Sequence, residues 1–207
     1  QVVALKEVSF RIEQGKTLAI LGRTGSGKTS VINLVARLFD ADSGDILIDG
    51  IPIKEVNLFD LRNSIGFVPQ DAFLFSDTIR NNIKIGKQDA TEEEVIQAAK
   101  NAYIDHNIQE FSNKYDTLIG ERGVTLSGGQ KQRISIARAL ISEPKILIFD
   151  DCLSAVDTET EEIILNNLNR VREGKTTIIV SHRPSSVKNA DIIIVLHEGQ
   201  IVQRGTH

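Results

Sequence analysis

Gly22-Arg23-Thr24-Gly25-Ser26-Gly27-Lys28-Thr29 places glycines, a lysine and a hydroxyl residue at the spacing G-x-x-x-x-G-K-[ST]. Glycine adopts positive φ without steric cost, so such a loop curls until its N–H groups face an anion. Lys28 brings a full positive charge to the outer phosphates of a polyphosphate. The Thr29 hydroxyl suits a magnesium ion, and Ser30 is grouped with the same phosphate-binding segment. A metal needs a further acidic group. Ile146-Leu-Ile-Phe-Asp150 is an apolar run ending in a carboxylate, where strand ends meet ligands in open α/β sheets. Asp150 is therefore the candidate that holds the metal through a water. Taken alone, an aspartate after a strand is usually a turn or a helix cap; beside the glycine loop the metal reading prevails.

These groups must be held by regular elements. Thr17–Leu21, just before the loop, reads as a buried strand, and Thr29–Leu38, just after it, as a helix. Further strands are expected at Ile65–Val68, Lys145–Phe149, Thr176–Val180 and Asp191–Leu196, with a short one at Val8-Ser-Phe10. Helices are expected at Gly128–Ile141 and Thr158–Val171. Strands alternating with helices imply an α/β core, a mostly parallel sheet with helices on both faces. Asp49-Gly50 and Glu198-Gly199 read as hairpin turns of an antiparallel β margin. Strand-like runs are scarce between Ser76 and Ser127, and Thr91-Glu92-Glu93-Glu94 opens a helix as a capping box. The expected organisation is one domain over 1–207, with a core at 1–75 and 141–207 and an inserted helical subdomain at 76–140.

Bulk composition narrows the classes. A hydrophobic content of 41% with 25% charged residues is that of a soluble globular domain. A net charge of −4 with interspersed signs argues against a nucleic-acid-coating surface, so no nucleic-acid partner is expected. Apolar runs such as Ile192–Leu196 are too short to cross a bilayer, and Gln1–Phe10 carries no signal-peptide pattern. Cys152, the single cysteine, excludes an internal disulfide and suits a reducing compartment. With no methionine anywhere, Gln1 is expected not to be a native start, and the chain to be a piece of something longer.

Leu126-Ser127-Gly128-Gly129-Gln130, followed by Lys131-Gln-Arg-Ile-Ser-Ile-Ala-Arg-Ala-Leu140, resembles the signature motif of ABC ATPases. A local reading also exists, in which Ser127 caps a helix and the glycines form its entry turn. The two are compatible, because a helix N-terminus also receives phosphate. The resemblance covers essentially the whole chain and implies a P-loop NTPase core that binds ATP with Mg²⁺. It implies that the signature addresses the nucleotide of a second nucleotide-binding domain, the two closing head to tail. Gln70, after Ile65-Gly-Phe-Val-Pro69, matches the Q-loop glutamine that senses metal and γ-phosphate. Ser154-Ala-Val-Asp157 matches the D-loop, which crosses between subunits, and His182 matches the switch histidine at the γ-phosphate.

Asp71–Ile79 with Asn81-Asn82-Ile83, and Gly120-Glu121-Arg122-Gly123, resemble exporter-type segments, the latter a loop that meets transmembrane coupling helices. This implies a place at the cytoplasmic face of a membrane. Phe73, Leu74 and Phe75 would form an exposed apolar groove without a partner, or else pack under the helical insertion. An importer subunit, a soluble nucleic-acid-acting ABC ATPase and an ATP sensor without turnover remain as alternatives. In two places the chain departs from the family. Asp151 stands where most members have the glutamate that activates water, which resembles the slow half of a heterodimeric exporter. The aromatic on which adenine stacks is expected before Gln1, since Phe10 does not match it, and the chain stops at Gly205-Thr-His207 before the family's C-terminal helices.

Overall fold

The run Thr17–Gly22 forms β1, and its first four residues are buried, as a strand covered on both faces requires. In this computed structural model residues 3–120, 123–152, 158–171, 173–183 and 187–206 are described. The strands are β1, β2 (Leu47–Ile48), β3 (Ile51–Pro52), β4 (Ile65–Val68), β5 (Ile146–Asp150), β6 (Thr176–Ser181), β7 (Ile192–His197) and β8 (Gln200–Gly205). The helices are α1 (Lys28–Val35), α2 (Leu58–Asn63), α3 (Ile79–Lys84), α4 (Glu92–Asn101), α5 (Asp105–Glu110), α6 (Gly128–Leu140) and α7 (Thr158–Val171), with a 3-10 turn at Lys114–Asp116.

A six-stranded sheet runs in the order β4-β5-β6-β1-β7-β8. β1 lies parallel to β6 and β7, and β6 parallel to β5, while β8 returns antiparallel from β7. β2 and β3 pair as a separate two-stranded antiparallel sheet around Asp49-Gly50. This is the mixed α/β fold expected, mostly parallel with antiparallel additions. Residues 8–10 form no strand, which corrects the reading of Val8–Phe10. Their alternation is real, but among the described residues no ladder partner satisfies that backbone. A side chain does so at one point, where the Arg204 guanidinium donates to the Ser9 carbonyl at 2.7 Å.

The chain divides into two compact units: Gln1–Gly66, Lys145–Asp150 and Gly174–His207 in the first, and Phe67–Pro144 with Asp151–Glu173 in the second. In the first, α1 packs on β1, β5 and β6. Val31 and Ile32 join Leu18, Ile20, Ile148, Ile178 and Ile194 in the core. At the N-terminal edge of this sheet the Asp191 carboxylate accepts from the Thr17 N–H at 2.8 Å and from the Lys16 ammonium at 3.0 Å.

The second unit is helical. α6 packs against α3 and α4, burying Ile134, Ile136 and Ala137 with Ile79, Ile83, Val95 and Ala99. The expected capping box at α4 is present, with the Thr91 hydroxyl accepting from the Glu94 N–H and the Glu94 carboxylate from the Thr91 N–H. The buried Tyr115 hydroxyl donates to Asp105 at 2.6 Å, and burial together with that carboxylate raises its pKa well above the ordinary phenol range.

Asn82, fully buried, organises the loop before α3. Its amide donates to the carbonyls of Phe75 and Thr78, both at 3.0 Å. Its carbonyl accepts from the Phe75 N–H at 2.9 Å and from Arg138 at 3.0 Å, so all four of its hydrogen-bonding positions are used. Asn82→Leu strands several of these partners, at about 1–3 kcal/mol for each left unsatisfied. The expected fall in melting temperature is roughly 10 °C at this chain length. Thermal denaturation followed by circular dichroism measures it, and a shift below about 2 °C would deny the network its structural weight.

Candidate functional site

β1 delivers the chain to the glycine loop and α1 carries it away, so Gly22–Thr29 is a strand-turn-helix. Gly27 is the N-cap of α1 with φ 102°, in the left-handed region, and contributes no side-chain cap. The helix therefore opens with N–H groups that no intrahelical acceptor serves. The Lys28 ammonium folds back to donate to the carbonyls of Gly22 at 2.7 Å and Arg23 at 2.9 Å. That ties its charge over the loop and leaves one of three donors for a phosphate oxygen. Arg23, Thr24 and Gly25 form the exposed rim, with Gly25 at φ 81°, and Thr29 is exposed one residue into the helix beside half-buried Ser30.

Packing holds the loop. A Cβ at Gly22 would lie 2.5 Å from the Leu196 carbonyl and from Ser26 Oγ, so any larger residue displaces the backbone. The Gly199 N–H donates to the Ser26 carbonyl at 3.1 Å, which makes the β7–β8 turn a support for the loop. At Gly199 (φ 76°) a Cβ would meet the Ala4 carbonyl at 2.5 Å. In the sequence Glu198-Gly199 is marked only as a hairpin turn. Its second role has no local signal, because the bond spans more than 170 residues.

Two other candidates reach the same edge of the sheet. In the parallel register Leu21 faces Ser181 and Val180 faces Asp150. The C-terminal ends of β1, β6 and β5 therefore lie side by side, at about 4.8 Å per strand step. Gly22, His182 and Asp150 share this edge. Asp150 is buried and His182 exposed, and the Ser181 hydroxyl accepts from the Arg183 N–H at 3.0 Å.

The remaining candidates belong to the second unit. Gln70 is exposed, two residues after β4. Asp151 is half-buried with φ 43°, a left-handed conformation that aspartate tolerates better than most residues. At the start of α6, Ser127 Oγ accepts from the Gln130 N–H at 3.2 Å and Gln130 Oε1 from the Ser127 N–H at 2.9 Å. Both the capping box and the glycine entry are thus built, with Gly128 and Gly129 as the first helical residues and Leu126 buried just before them in the chain. Ser154 and Asp157 lie outside the described residues, as do Glu121 and Arg122. Phe73 and Phe75 are 64% and 50% exposed and meet edge to face at 4.9 Å, while Leu74 is half-buried. The pair of rings stands in the open, whereas Leu74 between them does not.

The loop fits a metal-polyphosphate. Ser26 Oγ is buried without a hydrogen-bond partner inside it, and the N-terminus of α1 has no side-chain cap. Thr29 and Asp150 supply the hard oxygen donors that magnesium takes.

A family model described as ABC transporter matches residues 5–154. The chain belongs to the ABC transporter family. It is 50% identical over 203 residues to a probable multidrug resistance ABC transporter ATP-binding/permease protein of Bacillus subtilis (strain 168), covering 98% of this chain and 35% of that protein. Over 201 residues it is 46% identical to ABC transporter B family member 18 of Arabidopsis thaliana, covering 97% of this chain and 16% of that protein. The solved structure of a bacterial Atm1-family ABC exporter with ATP bound superposes with a TM-score of 0.95 at 44% identity, covering 99% of this chain and 36% of that one. This ABC transporter chain therefore spans about a third or less of the length of such relatives. Among its described residues no helix is long and apolar enough to cross a membrane.

Proposed function

We propose that this chain is the ATP-hydrolysing nucleotide-binding domain of an ABC exporter, and that it closes head to tail with a second such domain. The observation that carries the proposal is the shared edge of β1, β6 and β5. It sets the glycine-rich loop, an exposed histidine and a buried carboxylate at the ends of three successive strands. The names of the relatives support the exporter part: ATP-binding/permease proteins in bacteria and an exporter among solved structures.

In this reading the N–H groups of Gly25–Thr29 and the Lys28 ammonium hold the β- and γ-phosphates. Thr29, Asp150 and Gln70 would hold Mg²⁺, which when bound neutralises charge on the phosphate oxygens. Asp151 accepts a proton from the attacking water as the water oxygen bonds to the γ-phosphorus. The bond from that phosphorus to the bridging oxygen breaks, releasing ADP and phosphate. His182 donates toward the γ-phosphate. The Ser127–Gln130 helix end addresses the partner's nucleotide, with Ser154 and Asp157 at the crossing between domains. Phe73 and Phe75 receive a transmembrane coupling segment at the cytoplasmic face of the membrane. Since Asp151 serves this chain's own nucleotide while the signature serves the partner's, a heterodimer with one slow and one fast site is the arrangement favoured.

Isothermal titration with ATP and magnesium, alongside phosphate release, tests the core of the proposal. Saturable binding and magnesium-dependent turnover are expected, with ATP raising the dimer fraction in sedimentation. Absence of ATP binding would sink the enzymatic reading. Binding and turnover without any ATP-dependent association would sink the head-to-tail one.

A further inference from the structure

α6 does more than present the Ser127–Gln130 end. Gln132, only 2% exposed, donates from Nε2 to the Pro69 carbonyl at 2.9 Å. Six residues further along the same helix, Arg138 donates from Nη1 to the Phe73 carbonyl at 2.9 Å. Its Nε and Nη2 bond the Asn82 carbonyl at 2.8 Å and the Asn82 side chain at 3.0 Å, and its guanidinium lies 6.0 Å from the Phe75 ring centre. The five residues from Pro69 to Phe73 therefore have side chains of one helix on the carbonyls at both ends. Gln70 lies between the two anchors.

We propose that Gln132 and Arg138 are positioning residues that fix both ends of segment 69–73 to the signature helix, so that Gln70 is held in register with the Ser127–Gln130 end. The consequence rests on the role proposed above for Gln70. The loop that reads this chain's nucleotide and the helix that reads the partner's become one mechanical piece. A displacement of α6 on meeting the partner's phosphate then carries Gln70 with it, and Phe73 and Phe75 as well. The chemistry explains why these two types are used. A buried glutamine amide offers a neutral donor that pairs with a carbonyl without burying charge. Arginine alone places several donors in a rigid fork, so it grips Phe73 and Asn82 together, which lysine cannot do.

The test uses the full chain with a spin label at Asp71→Cys for mobility, and unlabelled protein for kinetics. Cys152 is 3% exposed, so the introduced thiol takes the label. Gln132→Leu keeps the volume and removes the donor; Arg138→Lys keeps the charge and removes the fork. In each the label's spectrum should gain a fast-motion component. The kcat should fall about tenfold with KM for ATP within about twofold, since misplacement of roughly 1 Å costs up to about 10²-fold. In a Gln70→Ala background, Gln132→Leu should change kcat by less than about twofold, because residues acting through one group do not add. An unchanged spectrum, or a full tenfold loss persisting in the Gln70→Ala background, overturns the proposal. If Gln70→Ala itself leaves turnover intact, the role of Gln70 fails. The spectra then still decide the clamp, mobility in both variants supporting it and rigidity overturning it.

Discussion

Lys28→Ala is expected to lower kcat for ATP hydrolysis by about 10³-fold, the loss found when a preorganised group is removed from developing transition-state charge. The structure adds a second cause. The Lys28 ammonium bonds the carbonyls of Gly22 and Arg23, so its removal also frees the first turn of the loop. For that reason Lys28→Arg should not rescue: a planar fork cannot place one compact charge on two adjacent carbonyls and a phosphate together. Phosphate release at saturating ATP and magnesium measures both variants. A loss below about tenfold in Lys28→Ala would place the chemistry elsewhere.

Asp151→Glu should have the opposite sign. Aspartate holds its carboxylate about 1.5 Å short of where glutamate would, one carbon–carbon bond length. Misplacement on that scale costs on the order of 10²-fold. Turnover at this chain's own site should therefore rise by about 10²-fold in Asp151→Glu, both alone and with its partner domain. The backbone works against the change. With φ 43°, residue 151 sits where aspartate is tolerated and a longer side chain is strained by about 1 kcal/mol. A faster variant that melts a few degrees lower is the expected pair of results. Hydrolysis by the unmodified chain as a homodimer, as fast as in Asp151→Glu, would refute the slow-site reading.

Much of this was legible along the chain because its signals are local. Gly22–Thr29 is a contiguous turn whose glycines, lysine and hydroxyl act within eight residues. The capping boxes at Thr91 and Ser127 close over four residues each. The buried strands of the parallel sheet read as unbroken apolar runs because both their faces are covered, and their ends are set within a residue or so by the polar residues that follow. The error at Val8–Phe10 has the same origin. Alternation shows that a segment could be a strand, and says nothing of whether a neighbouring edge is free to pair with it.

The sequence by itself determined the glycine-rich loop, the capped start of α6, the class of fold and the family. Only the tertiary structure decided the strand order β4-β5-β6-β1-β7-β8, which brings Asp150 and His182 to the same edge of the sheet as Gly22 although more than 120 residues separate them from it. It also decided the supports that no motif announces: Leu196 and Gly199 behind the loop, and Gln132 and Arg138 holding the Gln70 segment. The reason is physical. A turn or a cap is made by neighbours in the chain, so their identities suffice to specify it. A carbonyl held by a side chain 63 or 65 residues away depends on how both elements pack, and either residue type would look ordinary anywhere else.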